Sequence, residues 1–123
     1  MLRVTPSRLW LLQQPVEGEP HVRGELAGCG FHQLRRVSFA PLVPDIGRHL
    51  SRTRAASLLI DTPEYNCHTT GTDALWSGVP MLTVSGDTMA ARVGGSLVRA
   101  SGLLGGQVHS AKEYADVGAW LVR

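Results

Sequence analysis

The chain has 123 residues, of which 43% are hydrophobic and 18% charged, with a formal net charge of +2. That length holds one domain and excludes a second full one, and the composition excludes an intrinsically disordered chain. No apolar run approaches the ~20 residues that a membrane-spanning helix needs, and Gln13 and Gln14 end the apolar patch Leu9–Leu12 too early for a signal peptide.

Short apolar runs alternate with helix-like stretches. Leu9–Leu12 reads as a buried strand, ended by Gln13-Gln14-Pro15 and the loop Glu17-Gly18-Glu19-Pro20. His21 to Ala27 reads as a short helix closed by Gly28 or Gly30. Arg36–Phe39 is a second strand, stopped by Pro41. Asp45 to Ala56 is a second helix with Asp45 as N-cap. Ser57–Ile60 is a third strand, followed by the turn Asp61-Thr62-Pro63.

A helix from Thr69 to Trp76 follows, with Gly78 past its end, and then a fourth strand, Met81–Val84. Thr88 to Ala100 is a longer helix closed by Gly102. A short strand at Gln107-Val108 precedes the last helix, Ser110 to Leu121, which Ser110 and Glu113 open as a capping-box pair. Strand–helix alternation with short connections and continuously apolar strands predicts a single α/β domain: a Rossmann-like parallel sheet with helices on both faces. Ligands of such sheets sit at the carboxyl ends of strands, beside helix N-termini.

Two cysteines, Cys29 and Cys67, are too few for a disulfide scaffold or a four-cysteine zinc site, so a reducing compartment is expected. The basic residues are 11 Arg and one Lys. Residues 1–60 carry 8 Arg against 4 acids and residues 61–123 carry 4 basic residues against 6 acids, a tilt from +4 to −2. That tilt is too weak for a nucleic-acid footprint but suits a small anionic ligand near the first half. No P-loop, H-E-x-x-H, G-x-S-x-G or G-x-G-x-x-G after a strand is present. His21, His32 and His109 read as surface or capping residues, and Cys67 as loop filler.

The stretch from Leu58 to Asp73 carries the chemistry: an apolar strand, a polar loop, then a helix opening on His68-Thr69-Thr70-Gly71. A helix start offers free N–H groups and a partial positive charge of roughly half an elementary unit, a ready phosphate site. Thr69 and Thr70 add hydroxyls, His68 a ring donor, Gly71 close backbone approach, and Asp73 a carboxylate for sugar hydroxyls. For any one residue the competing reading is ordinary capping; their succession argues for a ligand. A second candidate, Pro41 to Arg52, presents the backbone of Val43 to a planar base, with His49 and Arg52 on one helix face. A third, Ser85 to Val93, is a glycine loop entering a helix, with Asp87 or Thr88 as N-cap the competing reading.

Together these residues resemble the C-terminal catalytic lobe of the O-linked N-acetylglucosamine (O-GlcNAc) transferases. The resemblance runs through Asp61-Thr62-Pro63, Asn66, His68-Thr69-Thr70-Gly71, Asp73, Leu75-Trp76, Gly78 and Pro80-Met81. Leu9–Leu12, Gly18-Glu19-Pro20, Phe39-Ala40-Pro41, the Gly86–Ser96 helix entry and Glu113-Tyr114 agree with it, from about Arg8 to Tyr114. It implies one lobe of a two-lobed GT-B glycosyltransferase, binding UDP-N-acetylglucosamine for transfer to Ser or Thr hydroxyls of proteins. His68, Thr69 and Thr70 would hold the diphosphate, Asp73 the ribose, and Val43, His49 and Arg52 the uracil. No metal or cofactor is expected, no membrane or nucleic-acid partner, and a cytoplasmic or nuclear location.

The resemblance also marks differences. Asp45 stands where the family has a Lys, and the loop to His49 is one residue longer, which puts Arg48 forward as its replacement. The family's essential Lys, its N-terminal lobe and its tetratricopeptide array would lie upstream. Residues 1–123 are therefore expected to be one donor-binding lobe truncated at both ends, with no catalytic residue of its own and weak or no activity alone. The alternatives are a non-catalytic nucleotide- or protein-binding module, and a related protein O-fucosyltransferase lobe using GDP-fucose.

Overall fold

The computed structural model describes residues 6–122. Five strands and five helices alternate: β1 (Leu9–Leu12), α1 (Gly18–Gly28), β2 (Val37–Ala40), α2 (Ile46–Thr53), β3 (Leu59–Ile60), α3 (Thr69–Trp76), β4 (Met81–Val84), α4 (Val93–Ala100), β5 (Gln107–Val108) and α5 (Ala111–Leu121). Every strand pair is parallel, as expected of βα repeats.

The ladder is not one continuous sheet. β1 pairs with β2, in register Leu9 to Val37, and β3-β4-β5 form a separate three-stranded group. The single expected sheet is thus split between β1 and β3, which share no ladder. β4 is the centre of the larger group and of the core: Met81, Leu82 and Thr83 are all buried. Met81 and Thr83 turn toward α3 and α4, where Gly71 and Gly94 lie against them. Leu82, of opposite parity, faces the other side, and α5 also packs on β4.

Several element ends move from their expected places. Helix α1 starts at Gly18 rather than His21, because Pro20 falls in its first turn, where a missing N–H costs nothing. A 3₁₀ turn at Leu34–Arg36 takes Arg36 out of the second strand. Asp45 does cap α2, accepting from Arg48 N at 2.8 Å. That helix ends at Thr53 and not Ala56, since the amides of Ala55 and Ala56 turn to tighter i−3 carbonyls. Strand β3 keeps only Leu59 and Ile60 of the expected four residues.

The largest shift is in α4, which starts at Val93 rather than Thr88. Gly86 N donates to Ala91 O, and Thr88 Oγ1 accepts from Ala91 N at 3.1 Å, so Thr88 caps a separate turn before the helix. Helix α5 opens as expected: Ser110 accepts from Glu113 N at 3.1 Å, and the Glu113 carboxylate accepts from His109 N at 2.9 Å.

Candidate functional site

The loop between β3 and α3 is built on two buried polar side chains. Asp61 is 3% exposed and Asn66 fully buried. Asp61 Oδ1 accepts from Thr62 N at 2.9 Å and Cys67 N at 2.7 Å, while Oδ2 accepts from the buried Thr83 hydroxyl at 2.6 Å. Asn66 donates to Thr62 O at 2.9 Å and accepts from Gly94 N, at the start of α4, at 3.0 Å. A Cβ at residue 94 would collide with Asp61 Oδ2, Thr83 Oγ1 and Met81 Cε, so only glycine lets α4 close on this network. Tyr114 of α5 donates its hydroxyl to Asp61 O at 2.6 Å. Both ends of the loop are thereby fixed, and with them the start of α3.

Helix α3 begins after His68, and no side chain caps it among the described residues. Thr69 and Thr70 are exposed, so the expectation that Thr69 merely caps the helix is not realised. The first-turn amides are left open, which is the arrangement that attracts an anion. The His68 ring stacks on Tyr65, with centroids 5.1 Å apart and planes 12° apart. Its Nε2 is enclosed and without a partner among the described residues, the kind of group a ligand satisfies. Gly71 plays a different part from the one expected. It is buried, and a Cβ there would press on Leu97 Cδ1 at 2.9 Å and Cys67 Sγ at 3.0 Å. It serves the packing of α3 against α4 rather than the approach of a ligand.

The second loop meets the first through α2. His49 Nε2 lies 3.4 Å from Asp73 Oδ2, which joins the residue expected at the base to the one expected at the ribose. Arg52 donates to Pro41 O at 2.6 Å, and its guanidinium lies 5.2 Å from the Trp10 ring centroid. Its Nε is enclosed and unpartnered among the described residues. His49, Arg52 and Thr70 line one cavity of about 750 Å³. Val43 does not line it; its neighbour Leu42 does. Thus His49, Arg52, Thr70 and Asp73 converge, with Thr69 at the start of α3 and His68 just before it, and Val43 stands apart.

Sequence reasoning missed two supports, the Tyr65 stack under His68 and the Trp10 platform beside Arg52. The signal for Trp10 was present, an aromatic within an expected strand. Cys67 is half-buried, and burial together with the Asp61 carboxylate pushes its thiol up to about 12, so it is no nucleophile at neutral pH. Among the described residues no group of three or more His, Cys, Asp or Glu could hold a metal ion. No helix of the described residues is long and apolar enough to cross a membrane.

Three comparisons with known proteins agree. The family model described as glycosyl transferase family 41 matches residues 1–122. A probable UDP-N-acetylglucosamine–peptide N-acetylglucosaminyltransferase of Arabidopsis thaliana is 44% identical over 115 residues, covering 93% of this chain and 12% of the relative. A UDP-N-acetylglucosamine–peptide N-acetylglucosaminyltransferase of Caenorhabditis elegans is 35% identical over 114 residues, covering 93% of this chain and 10% of its own. The solved structure of a mutant O-GlcNAc transferase from Thermobaculum terrenum superposes with a TM-score of 0.84 at 32% identity, over 94% of this chain and 22% of that one. The chain therefore spans about a tenth of the length of these curated relatives.

Proposed function

The chain belongs to glycosyl transferase family 41, and from that premise we propose that it is the UDP-binding part of a protein O-GlcNAc transferase. Its task is to hold UDP-N-acetylglucosamine while N-acetylglucosamine passes to a Ser or Thr hydroxyl of a protein. The observation that carries this reading is the open start of α3 beside the convergence of Thr70, His49 and Arg52 on one cavity.

The division of labour follows from charge. The leaving diphosphate gains negative charge as the sugar bond breaks. The amides of α3, the Thr69 and Thr70 hydroxyls and His68 are fixed donors that meet that charge without reorganising. Asp73 accepts from ribose hydroxyls, and its contact with His49 orients the imidazole toward the base. Arg52, held by its bond to Pro41 O, meets uracil from the cavity wall that it shares with His49, while Val43 lies outside that lining. This reading assigns charge neutralisation to the helix end and His68 and needs no metal. The chain's two cysteines, Cys29 and Cys67, suit a reducing compartment, so we place the protein in the cytoplasm or nucleus.

Calorimetric titration of the full chain with UDP and with GDP tests the assignment. UDP is expected to bind more tightly, with the same affinity in EDTA. Tighter GDP binding would move the chain to a fucosyl donor, and no binding of either would leave it a protein-binding module.

A further inference from the structure

The imidazole of His68 carries an unanswered polar atom. Its Nε2 is enclosed, and no hydrogen-bond partner meets it among the described residues. A polar atom shut away from water is normally paired, so this nitrogen is held for a partner that the chain alone does not supply. The His68 main chain is fixed, because its carbonyl accepts from Thr72 N at 3.1 Å and from Thr72 Oγ1 at 3.3 Å in the first turn of α3. The contact that orients its ring is the stack on Tyr65, with centroids 5.1 Å apart and planes 12° apart. Offset parallel rings at such a separation attract each other beyond the area they bury.

Tyr65 is held through its backbone and not through its hydroxyl. Its carbonyl accepts from the Thr62 hydroxyl at 2.5 Å. The next residue, Asn66, donates its main-chain N–H to Ala90 O at 2.9 Å and its side-chain amide to Thr62 O at 2.9 Å. Tyr65 is 65% exposed, and its hydroxyl makes no hydrogen bond among the described residues. A large aromatic left that open adds little to a core, and what it covers is one face of the His68 ring.

On the footing that His68 meets the diphosphate, we propose that Tyr65 is its positioning residue: the Tyr65 ring locks the imidazole plane so that Nε2 is already set for a phosphate oxygen when the nucleotide arrives. A ring fixed beforehand does not lose rotamer freedom on binding. A donor that need not reorganise is also the kind that stabilises charge growing on a leaving diphosphate. The hydroxyl has no part in this role, so phenylalanine suffices at residue 65 and an aliphatic side chain does not.

Calorimetry of the full chain as wild type, Tyr65→Phe and Tyr65→Leu, each with UDP and with uridine, tests it. Tyr65→Leu should bind UDP about 2- to 12-fold more weakly, the factor that one stacked aromatic pair represents, and uridine as wild type does. Tyr65→Phe should match wild type with both ligands. The urea midpoint should be the same in all three, since Tyr65 is exposed. In the wild type, NMR cross-relaxation between the Tyr65 and His68 ring protons should persist when UDP is added. Equal UDP affinity in wild type and Tyr65→Leu overturns the proposal, and so does an equal loss with uridine or a phenylalanine variant as weak as leucine. Loss of the ring contact on adding UDP also overturns it, because the stack would then be what the ligand displaces. A wild type that binds uridine or UDP in neither titration brings down the nucleotide reading itself, and the positioning role with it.

Discussion

The Nε2 atom of His49 lies 3.4 Å from Oδ2 of Asp73 and ties the helix after β2 to the helix after β3. The two residues are both partly buried and lie 24 positions apart, so only the fold brings them together. Asp73 keeps a second oxygen for a sugar hydroxyl. Asp73→Asn removes the charge from that acceptor, and hydrogen bonds to charged groups are the strong ones. Affinity for UDP should fall about 5- to 30-fold, a loss of about 1–2 kcal/mol. Uridine should lose the same factor, since the contact is to the nucleoside. A variant that loses UDP affinity while uridine binding is untouched would remove Asp73 from the ribose.

Thr70→Val should show the opposite pattern. Its hydroxyl is exposed at the open start of α3 and lines the cavity. Losing a charge-assisted bond to a phosphate oxygen costs about 1–2 kcal/mol. Calorimetry should find weaker UDP binding and unaltered uridine binding. Equal UDP affinity in wild type and variant would mean that the hydroxyl meets no phosphate.

The network under the loop predicts a stability effect. Asp61→Ala strands the Thr83 hydroxyl and the Cys67 amide in the interior. Leaving buried donors unsatisfied costs about 1–3 kcal/mol each. The urea midpoint should drop accordingly. Gly94→Ala attacks the same place by overpacking, which costs typically about 1–3 kcal/mol. If the alanine at residue 94 unfolds at the wild-type midpoint, the tight junction of α4 with Asp61 and Thr83 is not real.

The alternating pattern was legible because buried parallel strands are continuously apolar and each helix carries a start or stop residue. Asp45 and Ser110 fixed two N-caps correctly, and Thr69–Trp76 and Met81–Val84 matched to the residue. The start of α4 was not legible, since Thr88 looks like a cap whether it opens a helix or an isolated turn. The bond between Gly86 and Ala91 decides that, and it depends on tertiary closure. The split between β1 and β3 was invisible for a similar reason, because periodicity reports burial and not strand neighbours. At the site, the chemistry of His68 to Asp73 followed from residue types at a helix start. The Tyr65 stack and the Trp10–Arg52 contact did not, because both pair residues through loop geometry.

Alkaline pH should weaken the fold through two groups behind the same loop. Burial and the Asp61 carboxylate push the Cys67 thiol from 9.0 up to about 12, and burial with the Asp61 charge pushes the Tyr114 hydroxyl from 10.0 to about 12. Both are acids that the folded state keeps protonated. Above about pH 9 the unfolded chain loses the Cys67 proton first, then that of Tyr114, while the folded chain retains both. The unfolded state then binds fewer protons, so stability falls with rising pH. It should be level below pH 9 with respect to these groups and decline between about 9 and 12. Both residues are only partly enclosed, so the slope should be gentler than two fully buried groups would give. Urea midpoints across that range measure it, and Cys67→Ser with Tyr114→Phe should flatten the decline. The same shift predicts that iodoacetamide at pH 8 labels exposed Cys29 well before Cys67, because the thiolate is the nucleophile. Equal labelling rates in the folded protein would show that Cys67 is neither enclosed nor held protonated beside Asp61.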